Sequence, residues 1–168
     1  MERWIRLLDA ISIWSGKSVA WLIVPMVLAL SYEVFMRYLL SAPTAWAYDV
    51  TFILYGTLFM VASAYTLQRK GHIRTDSFYG TWSVRKQGVV DTVCYVLFYF
   101  PGLLAFLYVG WEFFVKSYEQ NERIMTSTWM PIIWPLKFVL PLSTALLLTQ
   151  GFAELLRSIH AARKGEWI

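Results

Sequence analysis

The sequence predicts an all-α membrane protein: four transmembrane helices, an N-terminal amphipathic helix, and a cytoplasmic interfacial arm helix between spans two and three. Three observations lead there. Apolar residues make up 58% of the chain and charged residues 15%, well below the roughly 25% charged share of soluble domains. Nine tryptophans, ten tyrosines and eleven phenylalanines supply the amphipathic rings that collect at both faces of a bilayer. Finally, 168 residues hold about four crossings of ~20 residues each. Little chain is left for a soluble head, so residues 1–168 are read as a single membrane domain.

At the N-terminus, MERWIRLLDAISIW sets Trp4, Leu7, Leu8, Ile11 and Trp14 at helical spacing, with Glu2, Arg3, Arg6 and Asp9 on the other side. That pattern is expected of a helix lying in the interface. No small-residue cleavage site follows it, so the first span is expected to be retained. Span one covers about residues 18–38, with a kink at Pro25 and with Glu33 and Arg37 four apart on one face. In LSAPTAW, Pro43 disfavours helix at Ala42 and opens the next helix. Span two covers about 46–67, places Asp49 in its first turn where the macrodipole favours an anion, and contains Gly56, Ala62, Ser63 and Ala64 for close approach. Span three, about 89–114, carries Pro101-Gly102 at its middle as an expected kink. Span four, about 131–155, contains Lys137 and Pro141, and the Lys137 ammonium is expected to snorkel to the outer boundary.

Basic residues set the expected topology. Arg3, Arg6, Lys17, Arg69, Lys70, Arg74, Arg85, Lys86, Arg157, Arg163 and Lys164 fall on one side; Arg37, Lys116 and Arg123 fall on the other, with Lys137 close to it. This bias puts both termini and the 68–87 connection in the cytoplasm.

The connection begins LQRKGHIRTDSFYGTW, where a histidine stands near an aspartate. A catalytic pair would need a nucleophile and a shielded pocket, and a metal site would need further ligands. The other histidine, His160, is near the C-terminus. The segment reads instead as a lipid-surface arm. Trp4, Trp14, Arg69, Lys70, His72, Arg74, Phe78 and Trp82 are the expected interfacial anchors. The net charge of +4 is read as attraction to anionic lipid, with no nucleic-acid module among the basic residues. Cys94 is the single cysteine, which leaves no internal disulfide or thiolate cluster.

Charges within spans are functional candidates by default. Glu33, Asp49, Glu112 and Lys137 all fall near span ends, which favours structural pairing or contact with a partner subunit over a proton relay. Two other classes stay open. A haem-carrying membrane anchor of a respiratory complex needs axial ligands within the spans, whereas His72 and His160 sit at the edge. A small four-span multidrug exporter needs a deep acid, whereas Glu33 is near the outer end beside Arg37. An enzyme is not expected, since no Ser-His-Asp set or metal cluster is apparent.

Arg37-Tyr38, then Trp46 with Asp49, then Gly71-His72-Ile73-Arg74 with Asp76, then the segment from Trp129 to Pro141, occur in this order on the predicted spans. The set resembles the small membrane subunit, the DctQ type, of tripartite ATP-independent periplasmic (TRAP) transporters, over about residues 4–157. The resemblance implies a scaffold without catalysis, in the bacterial inner membrane. It also implies a large DctM-type membrane subunit that holds sodium and substrate and moves as an elevator, and a periplasmic binding protein that delivers an organic acid. No cofactor is implied in this chain. Glu33, Arg37, Trp46 and Asp49 are then candidates for the partner-subunit interface. Glu119, Glu122 and Arg123, in the largest outer connection, are candidates for docking the binding protein. The family often has two adjacent acids after the span-two tryptophan. Here Tyr48-Asp49 leaves one, so a partner salt bridge that needs both is not available.

Overall fold

A computed structural model describes residues 2–71 and 79–167. Among these residues the chain is helical and has no strand. The elements are α1 (Glu2–Ala20), α2 (Ile23–Leu39), α3 (Ala47–Gln68), α4 (Val84–Cys94), a π-helical turn (Tyr95–Tyr99), α5 (Phe100–Glu119) and α6 (Trp134–Lys164). Four helical stretches are long and apolar enough to cross a membrane: Glu2–Leu39, Ala47–Gln68, Val84–Glu119 and Trp134–Lys164. The chain is a multi-pass membrane protein. The expected arm helix falls largely on residues 72–78, so it and His72, Arg74 and Phe78 lie outside the described residues.

The helices run alternately up and down. Connection 120–133 meets the first turn of α3, just after connection 40–46, at one end, the loop end, where Ser127 bonds to Asp49. The finish of α3, the start of α4 and the finish of α6 meet at the other, the terminal end, where the Lys70 ammonium lies 5.2 Å from the Trp167 ring centre. Helix α6 is the central element, packed on α5, α4, α3 and α1, while α2 packs on α3.

Local sequence explains the irregularities. Pro25 has no N–H for the Trp21 carbonyl four residues back. The Val24 N–H bonds that carbonyl instead at 3.2 Å, and the helix turns tightly between α1 and α2. The expected surface helix and first span correspond to α1 and α2, which only this tight turn separates. Pro101 has the same defect, and the π-helical turn stands just before it, where the loosened ladder can take up an extra residue. That turn aims Tyr99 at α6: its hydroxyl donates to the Leu147 carbonyl at 2.8 Å. Gly151 makes room for the ring, because a Cβ there would stand 2.2 Å from Tyr99 Cε1. Gly88 similarly brings α4 onto the α6 backbone; a Cβ would meet Ala162 N at 2.5 Å.

Helix α1 turns most of its periodic apolar residues outward and packs through another face. Ile5, Ser12, Gly16 and Val19 are buried, whereas Trp4, Leu7, Ile11 and Trp14 point outward. In a lipid environment the outside is as apolar as any core, so small and polar groups mark the packed side. Val19 joins Val61 and Val139 in a buried apolar cluster against Leu22, Leu58 and Leu146.

Candidate functional site

Two polar clusters occupy opposite ends of the bundle. At the loop end, α2 presents Glu33 and Arg37 one helical turn apart, so the guanidinium reaches the carboxylate along the helix, Nε to Oε1 at 2.8 Å. The second carboxylate oxygen accepts the Thr44 N–H at 2.9 Å and the Thr44 hydroxyl. The buried Glu33 thereby ties α2 to the turn that leads into α3. Tyr32 stacks on Trp46 beside it, ring centres 5.8 Å apart.

Asp49, also buried, accepts a hydrogen bond from the Ser127 hydroxyl, whose oxygen accepts the Trp129 N–H at 3.1 Å. Connection 120–133 is thus pinned to the first turn of α3. The same connection closes on itself. Ile133 N–H donates to Glu122 O and Ile124 N–H to Pro131 O, each at 3.0 Å. Arg123 Nη1 donates to Met130 O at 3.0 Å. Lys137 is buried near the start of α6, bonded to Glu122 and set 3.8 Å from the Phe113 ring centre. Its ammonium is therefore held at the bundle end between a carboxylate and an aromatic face. Hydrogen bonding from Lys137 holds the Glu122 carboxyl below the usual carboxylate range.

At the terminal end, Arg157 on α6 bonds Asp9 on α1 and Glu154 one turn back on its own helix. Gln150 Nε2 donates to Asp9 Oδ1 at 3.0 Å and to Glu154 Oε1 at 3.3 Å. This cluster joins the first helix to the last. Sequence reasoning assigned Asp9 to the polar outside of α1 and Arg157 to the aqueous basic set, and passed over Glu154. The available signal was Gln150, Glu154 and Arg157 at spacings of four and three on one face of an otherwise apolar helix.

An apolar exterior and polar groups that join helices make a membrane bundle, and the family comparison names its class. The family model for tripartite ATP-independent periplasmic transporters, DctQ component, matches residues 26–161. The chain belongs to the DctQ family. Search of curated proteins finds no match.

In this DctQ chain the interface candidates separate by environment. Glu33 and Asp49 are buried and internally bonded, while Arg37 is half-exposed and Trp46 exposed. Of the docking candidates, Glu119 is exposed, and Glu122 and Arg123 are engaged in holding the connection together. Glu112 is exposed on α5, accepting from the Tyr108 hydroxyl at 3.2 Å. Among the anchors, Trp4 and Trp14 face outward and Arg69 and Lys70 are exposed. Trp82 lies beneath the Lys86 ammonium at 4.3 Å. Among the described residues, no group of three or more His, Cys, Asp or Glu side chains is placed to hold a metal.

Proposed function

We propose that this chain is the scaffold subunit of a sodium-coupled, binding-protein-dependent transporter that takes up an organic acid across the bacterial inner membrane. The DctQ match carries the reading, since that family is the small component of TRAP transporters. A large DctM-type subunit holds sodium and substrate and performs the elevator motion; this chain binds it and does no chemistry, with no cofactor of its own. The tied loop end suits that task. A moving neighbour exerts a tilting load, and Glu33–Thr44, Asp49–Ser127 and Glu122–Lys137 each cross from one element to another to resist it. Arg37 and Trp46 are among the outward groups of this end and meet the partner; Glu33 and Asp49 hold the surface they stand on.

The loop end faces the periplasm in this reading, and both termini are cytoplasmic by the distribution of basic residues. Contact with the periplasmic binding protein then falls on Glu119, at the end of α5, and on the outward face of connection 120–133.

Copurification tests the proposal. The tagged chain is expected to retain a larger membrane protein in mild detergent, and uptake in liposomes is expected to need both chains, sodium and the binding protein. Transport by this chain alone, or a Soret band in its absorption spectrum, would overturn it.

A further inference from the structure

The terminal end gathers cations that the joining of helices does not use. Lys70 follows α3 in a left-handed conformation (φ 54°), with Gly71 N–H bonded to Thr66 O at 2.9 Å, so the chain leaves α3 in a tight cap. That cap turns Lys70 toward Trp167. From the other side, Arg85 on the first turn of α4 lies against Gly165, whose own left-handed φ of 79° ends α6; a Cβ on this glycine would be 3.4 Å from Arg85 Nε. Two cations from separate helices thus flank residues 165–167, and Arg163 and Lys164 immediately precede them. All four are exposed, and none is in an ion pair among the described residues, although Glu166 is adjacent in sequence.

An apolar track leads away from this cluster. Arg85, Val89 and Val93 recur four residues apart and so share one face of α4, where both valines are exposed, at 51% and 46%. Cations that give way along one line to outward aliphatic groups match one kind of molecule, an amphiphile with an anionic head. We propose that the junction of the α3 cap, the start of α4 and the end of α6 is a site for a single anionic phospholipid. Its phosphate is held by Lys70, Arg85 and the α6 terminus, and one acyl chain lies along Val89 and Val93. Phosphate bound near several cations is favoured by proximity to an apolar medium, where the charges are less screened. The site differs from diffuse attraction to a charged surface in being saturable, and it does not depend on which leaflet the terminal end meets.

The full chain in phosphatidylcholine nanodiscs with increasing phosphatidylglycerol provides the test, with native mass spectrometry counting retained lipid. One phosphatidylglycerol per chain is expected at saturation. The double variant Lys70→Gln/Arg85→Gln is expected to weaken retention at least tenfold, whereas Arg3→Gln/Arg6→Gln, which removes equal charge from α1, leaves it unchanged. Val89→Ser/Val93→Ser, which alters no charge, is expected to weaken it too, with circular dichroism showing that each variant is folded. Equal retention of phosphatidylcholine, binding that rises without saturation, loss from the α1 variant equal to that from the cap variant, or competition by millimolar inorganic phosphate without effect of the valine changes would each overturn the proposal.

Discussion

Arg157 sits between two carboxylates, and its removal leaves both without a counter-charge in a site 14% exposed or less. Breaking a buried pair on one side costs about 3–5 kcal/mol. Arg157→Ala is therefore expected to lower the melting temperature of the purified protein sharply, while the triple change Asp9→Leu/Glu154→Leu/Arg157→Leu restores most of it, because the desolvation of all three charges disappears together. A triple variant no more stable than Arg157→Ala would show that the cluster is not an ion-pair tie. Glu122 makes a contribution that depends on pH. Its folded pKa lies below the ordinary carboxylate value of about 4.5, so the unfolded chain binds the proton more readily and the stabilisation is present above that value. It is lost as pH falls from about 4.5 through the folded pKa. Thermal melts are expected to show a stability loss below about pH 4.5 that is smaller in Glu122→Gln, the variant in which the titrating group is gone.

Between helices, contact is set by small residues and by prolines. Gly151→Leu and Gly88→Val force side chains into the Tyr99 ring and the α6 backbone, and both are expected to unfold the chain at lower temperature, whereas Gly102→Ala enters open space. The last change is expected to be neutral or to stabilise by up to about 1 kcal/mol, since alanine favours helix over glycine; melting curves of the three variants separate packing from propensity. The apolar runs, Pro25, Pro101 and the Glu33–Arg37 spacing were all legible in the sequence, because each is a local property of one helix. Asp49 with Ser127 was not: the partners are 78 residues apart, and no periodicity joins a helix turn to a distant loop. The packed face of α1 was not legible either, because Ser12 and Gly16 carry no apolar periodicity and a bundle in lipid sorts its surfaces by size and hydrogen bonding. Glu122 as the partner of Lys137 was not legible for the same reason as Ser127: it lies in the connection and not on the helix that carries Lys137.

For the molecule as a whole, a cysteine-free background made by Cys94→Ser permits a direct reading of orientation. Asn121→Cys is expected to react with a membrane-impermeant thiol reagent in intact cells, and Glu166→Cys only after permeabilisation; the reverse pattern would invert the proposed topology. The four membrane stretches are also unequal. Ala47–Gln68 has 22 residues and Trp134–Lys164 has 31, about 33 Å against 46 Å at 1.5 Å rise. The shorter one nearly equals a typical hydrocarbon core of ~30 Å, and the longer one outlasts it. A longer stretch can take up mismatch by tilting, whereas α3 has little length to spare. A thicker bilayer draws the Arg69 and Lys70 end and the 40–46 turn toward hydrocarbon, and the bundle answers by reorienting or by thinning the lipid around it. If acyl length is varied, the ends of α3 are expected to register the change first.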